Sequence, residues 1–334
     1  MPGIICTLGH STDNENILRE MIEDGMVCAR INTAYASLAQ YKQRIDALRR
    51  LGKIPVILDL KGSQIRIITD QKYVIKQGDE FPVGFQKGSI AFNYDFWKEI
   101  FPGDVIFFEN GTIKTMVSEK KNSYVVLKVI EPGEHYLTTQ MGANIPNRVF
   151  KSIPLLTAKD NEVIDFALQE KVEFLAISFV RSSQDVLNLK KIIDNKKTGC
   201  QPGIIAKIED QIGFAALENI IKESKVELVD LRVMIGRGDL FVEAPQNQLA
   251  FIQKKIIKLC HTLSIPVIVA TGLLESMQYN PHPTRSEVCD TANAVLDGAN
   301  WLMLSAETSN SQYPAEAVKM LSGIIKQCQT YLVK

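Results

Sequence analysis

Residues 204–243 run IIAKIEDQIGFAALENIIKESKVELVDLRVMIGRGDLFVE, and this stretch decides the fold. Two short apolar runs, 203–206 and 229–235, flank an amphipathic helical pattern, which is the spacing of a βαβ unit. Each run ends in charge where a buried strand would emerge: Lys207 and Glu209 at the first, Arg237, Gly238 and Asp239 at the second. Parallel strands point the same way, so a lysine, an arginine and two carboxylates are expected to converge on one rim. Two carboxylates from neighbouring strands, with cations beside them, suit one Mg²⁺ and an anionic substrate.

Working outward, the same unit repeats from residue 3. The first strand is expected at 3–7, followed by a helix opening at Thr12 with Glu15 three residues on, the spacing of a capping box. A second strand, 26–31, ends in Arg30 and Asn32, and a helix over 38–51 leads to a third strand, 54–58, that runs into Asp59, Lys61 and Arg66. Helical periodicity is then lost from about 67 to 143. Strand-like runs at 73–75, 105–108, 113–117 and 124–127 are punctuated there by glycines, too long a stretch for a structureless loop. It is expected to be a small inserted β-domain. Beyond it the rhythm resumes, with strands at 173–177 (ending in Ser178 and Phe179), 203–206, 229–235, 266–270 (ending in Thr271) and 301–304. Thr157, Ser182 and Thr284 stand as helix caps between them. Eight strands each followed by a helix is the count of a TIM (β/α)8 barrel, and polar residues end strands two to eight, where such barrels hold their active sites. An open doubly wound sheet is the competing arrangement, but it gives no reason for functional groups at so many strand ends.

Composition bounds the function. In 334 residues, 38 basic side chains balance 38 acidic ones, which argues against a nucleic-acid-binding surface. The six cysteines are scattered without CxxC or zinc-like spacing and are expected to be reduced and inert, as in a cytoplasmic protein. His10, His135, His261 and His282 do not pair at metal-ligand spacing. The N-terminus lacks the pattern of a signal peptide, and no stretch approaches the ~18 apolar residues of a membrane helix. Taken alone, Lys207-x-Glu209 is an ordinary surface pair, and residues 236–241 resemble a dinucleotide fingerprint without its third glycine. Their places at the ends of consecutive strands favour a functional reading.

These residues, together with IICTLGHSTDN (4–14), ARIN (29–32), ILDLKGSQIR (57–66), AISFVRSSQDV (176–186), VIVATGLLESM (267–277), NPHPTRSEVCDTANAVLDGA (280–299) and LSAETSNSQYPAEAV (304–318), resemble the pyruvate kinase family along nearly the whole chain. The resemblance implies a barrel with a small β-barrel lid inserted after strand three, with 1–66 and 144–334 as the barrel and 67–143 as the lid. It also implies Mg²⁺-dependent phosphoryl transfer from phosphoenolpyruvate to ADP, giving pyruvate and ATP. Glu209 and Asp239 would hold the metal, Lys207 would neutralise the phosphoryl group in flight, and Arg30 would grip the phosphate. The amides of Arg237, Gly238 and Asp239 would receive the substrate carboxylate, Ser178 and Phe179 would line the pocket, and Thr271 would lie near the water that protonates the enolate carbon. Arg66 and Asn32 would contact the nucleotide, and Asn32 and Asp59 would be ligands of a K⁺ ion.

The chain departs from the family pattern in several places. The usual Asn-Phe-Ser-His is Asn32-Thr33-Ala34-Tyr35, losing a serine ligand for K⁺ and a nucleotide-contacting histidine. Leu60 stands for a threonine, Gln64 for an acidic residue, Phe241 for a glycine and Gly272 for a glutamine. These changes put a K⁺ requirement in question. They also leave two other readings open: a divergent Mg²⁺-dependent lyase or kinase for another enolate or hydroxy acid, and a non-catalytic phosphoenolpyruvate-binding relative. The family's C-terminal effector domain has no counterpart, so regulation through it is not expected. A homo-oligomer would have to assemble through the barrel.

Overall fold

A computed structural model describes residues 1–332. The chain falls into two compact units: Met1–Gly62, Leu156–Gly238 and the chain from Gln248 on make the first, Ser63–Leu155 and Asp239–Asn247 the second.

In the first unit, among the described residues, eight parallel strands close into a barrel. They are β1 (Gly3–Leu8), β2 (Met26–Asn32), β3 (Val56–Asp59), β4 (Phe174–Ile177), β5 (Gly203–Ile208), β6 (Leu231–Gly236), β7 (Val267–Ala270) and β8 (Trp301–Leu304). Closure comes from β1 pairing with both β2 and β8. Every strand contributes to a single buried cluster inside the barrel: Ile5, Cys28, Ile57, Ala176, Ile205, Met234, Ile268 with Ala270, and Met303. The alternate positions are buried too, for example Ile4, Ala29, Leu58, Leu175 and Val233, as expected of strands covered on both faces.

The period of two in those strands fixes which residues reach the mouth. Continuing the inward set by two or four residues gives Thr7, Arg30, Asp59, Ser178, Lys207, Glu209 and Gly236. Capping boxes start the helices that return the chain to the next strand: Ser37 with Gln40, Thr157 with Asp160, and Thr284 with Glu287. Each such cap is worth about 1 kcal/mol. The first helix differs from expectation. Thr12 is buried in a 3₁₀ turn, where its Oγ1 donates to the Gly9 carbonyl, and Asn14 caps the helix Glu15–Glu23 instead. A threonine held inside cannot cap an exposed helix end.

The second unit holds a seven-stranded sheet, in the order Ala143–Asn144, Val105–Phe108, Ile113–Lys120, Tyr124–Val129, Glu80–Phe85, Ile90–Phe92 and Ile67–Thr69. A two-stranded ribbon, Tyr73–Lys76 with Glu134–Leu137, accompanies it. Its core contains Phe92, Phe96, Phe108 and Phe150, with Phe85 edge-on to Phe96 at 5.0 Å. This unit extends past the expected 67–143 on both sides. Ile145 and Phe150 belong to its core, and Arg66 bridges to Gly142. The segment Asp239–Asn247 joins it as well: the Asn144 amide donates to Asp239 Oδ1 at 3.2 Å and to Glu243 Oε1 at 3.0 Å. Three-dimensional packing groups these residues where chain order separates them.

Candidate active site

Four charged side chains of the inward set meet at the C-terminal mouth of the barrel. Arg30, from β2, places Nη2 at 2.7 Å and Nε at 2.9 Å from Asp59 Oδ2, while its Nη1 donates to Thr7 Oγ1 at 3.2 Å. Lys207 Nζ lies 3.2 Å from Asp59 Oδ1 and 3.1 Å from Glu209 Oε1, and donates to Ser178 Oγ at 2.9 Å. Ser178 in turn donates to the Leu60 carbonyl at 3.0 Å. Asp59 is 2% exposed and Glu209 4%. Two cations against two carboxylates leave no net charge, and that balance makes so much buried charge tolerable.

Electrostatics follow from the pairing. Burial disfavours the Asp59 carboxylate, yet Lys207 and Arg30 outweigh it and hold its pKa below the ordinary value. Burial likewise opposes the Lys207 ammonium, but Asp59 and Glu209 win and push its pKa up. Lys207 therefore stays a fixed positive charge at neutral pH, the property needed to stabilise an anion and not the property of a general base.

Backbone geometry sharpens the site. The Phe179 amide donates to Glu209 Oε2 at 2.8 Å, and Phe179 adopts φ +51° to do so. Thr271, at the end of β7, has φ +76°. Left-handed φ at a bulky or β-branched residue costs about 1–3 kcal/mol and gathers at functional sites. Gly236 is glycine for a plain reason: a Cβ there would lie 2.6 Å from Glu209 Cγ.

One sequence expectation is corrected here. Arg237 was expected to add its charge to the rim. It lies just past β6, as the first residue of the short helix Arg237–Glu243, and its guanidinium turns away from the charged network to the Thr271 carbonyl, Gln253 and Asp290. Asn32 and Asp59 were candidate K⁺ ligands. Both Asp59 oxygens already face Arg30 and Lys207, and Asn32 Oδ1 accepts from the Ala34 amide at 3.1 Å. The Asp59 carbonyl accepts from Thr33 Oγ1 at 2.8 Å. All of these oxygens meet donors of the protein itself.

The structure thus gathers Arg30, Asp59, Ser178, Phe179, Lys207 and Glu209 into one network, with Arg237, Gly238 and Thr271 in a second. Asp239 and Arg66 belong to the other unit, where Arg66 donates to Gln64 Oε1 at 2.7 Å and to the Gln140 carbonyl. Among residues the sequence did not single out, Thr7 could have been found by carrying the inward period of β1 two residues past Ile5. Gln253 and Asp290 lie on the helices Leu249–Thr262 and Arg285–Leu296, with no local signal. Cys6, Cys28, Cys260 and Cys328 are buried as expected, and burial pushes the Cys28 and Cys260 thiols up to about 12; Cys289 is exposed.

No helix among the described residues is long and apolar enough to cross a membrane. No cluster of three or more His, Cys, Asp or Glu suited to a metal occurs among them. Residues 2–318 match the pyruvate kinase barrel domain. The chain is 37% identical to the pyruvate kinase of Staphylococcus saprophyticus over 96% of its own length and 56% of that protein. It is 36% identical to the pyruvate kinase of Clostridium perfringens, over 98% of this chain and 70% of that one. The chain thus spans little more than half the length of the first of these relatives. With the barrel, its charged mouth and the match over residues 2–318 in agreement, the chain belongs to the pyruvate kinase family.

Proposed function

We propose that this protein transfers the phosphoryl group of phosphoenolpyruvate to ADP, with Mg²⁺, giving pyruvate and ATP. The observation that carries the reading is Lys207, an ammonium held charged in a buried site between Asp59 and Glu209. Its three partners fix its position, so it meets a migrating phosphoryl group without reorganising. Arg30, clamped by Asp59, offers the planar fork that suits a phosphate.

The donor chemistry at Glu209 fits magnesium: a buried carboxylate with hard oxygen atoms, oriented by the Phe179 amide. Glu209 and Asp239 would hold the ion, which when bound would act as a Lewis acid toward substrate oxygens. Asn144 would orient Asp239 through its amide. The amides of Arg237, Gly238 and Asp239 would receive the substrate carboxylate, and Arg66 and Asn32 would contact the nucleotide. Ser178 would fix Lys207, and Phe179 would close the pocket beside Glu209. Thr271 would hold the water that protonates the enolate carbon: a C–H bond forms from the enolate electron pair, and the hydroxide left behind takes a proton from solvent. No step is routed through K⁺. In this reading the barrel unit is catalytic and the β unit is its lid.

The test is a coupled assay of pyruvate formation from phosphoenolpyruvate, Mg²⁺ and a panel of nucleoside diphosphates. Turnover with at least one of them is expected. Wild-type protein inert with all of them would sink the reading.

A further inference from the structure

We propose that Arg237 is a positioning residue, which holds the Thr271 peptide in its left-handed conformation and so aims the Thr271 side chain. This inference rests on the role proposed for Thr271 above. Three observations carry it.

All three nitrogens of the guanidinium are committed. Nε and Nη2 both donate to the Thr271 carbonyl, at 2.9 and 2.7 Å, while Nη1 reaches Gln253 Oε1 at 3.1 Å and Asp290 Oδ2 at 2.8 Å. Two charge-assisted donors on one carbonyl fix the plane of that peptide more firmly than a single hydrogen bond could. The conformation so held is also one a threonine rarely adopts: φ is +76° at Thr271 and +69° at Gly272 after it. Without an outside partner such a turn has no reason to persist at a β-branched residue. Finally, the Thr271 side chain has a defined seat. A Cβ built on Gly238 would stand 3.3 Å from Thr271 Cγ2, a tight contact, so the methyl group packs closely over this glycine.

The anchor is itself built in. Arg237 is 7% exposed and Gln253 4%, and Gln253 is tied through its own amide to Asp297 Oδ2 at 3.2 Å. A peptide at the barrel mouth is therefore set by two helices of the outer ring. An arginine that merely satisfied a buried carbonyl would give the same distances, and kinetics separates the two cases.

The experiment uses the full chain with Arg237→Lys, which keeps the charge but loses the planar fork, and with Asp290→Asn. The readout is exchange of the pyruvate methyl protons with solvent deuterium, followed by NMR with Mg²⁺ and phosphate, beside full turnover. Arg237→Lys is expected to slow methyl exchange by about 100-fold, the effect of misplacing a reacting group by ~1 Å, with little change in KM for phosphoenolpyruvate. Asp290→Asn, which also serves if the lysine variant does not fold, should show the same pattern at about 10-fold, since it loosens the fork without removing it. In a Thr271→Ala background either substitution should cost almost nothing more, because residues acting as one unit do not add. Losses that multiply in the double variant would overturn the proposal. If wild-type protein catalyses neither exchange nor turnover, the proposed function fails, and the crystal structure of Arg237→Lys decides this inference separately. Thr271 leaving the left-handed region upholds it, and an unchanged Thr271 overturns it.

Discussion

Two arginines at the barrel mouth, Arg30 and Arg237, follow similar strands and do opposite things. Arg30 continues the inward set of β2 and places its charge in a network with Asp59, Lys207 and Glu209. Arg237 comes one residue after the inward Gly236, faces the helices, and spends its charge on a peptide carbonyl and two outer-ring side chains. Arg30 stands inside a period-two strand, whereas Arg237 opens a helix just past one, and that difference sends the same guanidinium to an electrostatic site or to a structural anchor. Residue type and strand-end position are therefore not enough to assign a rim role; the face must be known as well.

The largest effect that would break this contrast is on Lys207, the centre of the inward network. Lys207→Met is expected to lower turnover by about 10³-fold or more in the coupled assay, as loss of a charge that stabilises phosphoryl transfer does. Near-normal turnover would mean that the inward network is merely structural.

Next is Asp59→Asn, which leaves Arg30 and Lys207 buried with a neutral partner. Urea unfolding at pH 7 should show a loss of about 3–5 kcal/mol, the cost of breaking a buried pair. The pH dependence sharpens this. Because the folded-state pKa of Asp59 lies below the ordinary value, its contribution is fully present above the unfolded carboxylate pKa of about 4 and is lost as pH falls through the folded value. The gap between wild type and Asp59→Asn should therefore close in strong acid. Lys207 gives the opposite limb: its raised pKa means a contribution present below the ordinary lysine range and lost only above it. A gap that did not change between neutral and strongly acid pH would refute this assignment of charges.

Gly236→Ala probes the glycine that ends β6 against Glu209. Its Cβ would press on Glu209, at a cost of about 1–3 kcal/mol for overpacking. It should also raise the Mg²⁺ concentration needed for half-maximal activity, whereas an intact metal response would show that Glu209 has room to shift. The smallest effect is expected from the buffer: replacing K⁺ by tetramethylammonium should leave turnover unchanged, because Ala34 stands where the family pattern has a serine ligand and the oxygens of Asn32 and Asp59 meet internal donors. A strong K⁺ requirement would show that these contacts give way when the ion binds.

Much of the architecture could be read from local pattern. Apolar runs ending in charge at Lys207, Glu209 and Arg30 marked the strands and the end at which they open, because buried parallel strands need continuous apolar sequence and can release charge only at a mouth. Thr157 and Thr284 announced their helices as caps, and the structure builds a capping box at each. Thr12 did not. The same spacing precedes Glu15, but burial of its hydroxyl against Gly9 removed it from the helix end. Short strands such as Ile90–Phe92 and Ala143–Asn144 escaped because two or three residues carry no measurable period.

By itself, the sequence determined the order of strands and helices, the inserted β-rich segment, the family, and the charged groups available at the strand ends. Each of these is written in local composition or in short contiguous motifs. Tertiary structure alone decided how those charges are spent: Asp59 shared by Arg30 and Lys207, Arg237 turned to Thr271, and Gln253 and Asp290 recruited from distant helices. A salt bridge or a forked hydrogen bond joins residues tens to hundreds of positions apart, and it depends on which face of a closed barrel each side chain is given. Neighbouring letters do not carry that information; closure of the barrel supplies it.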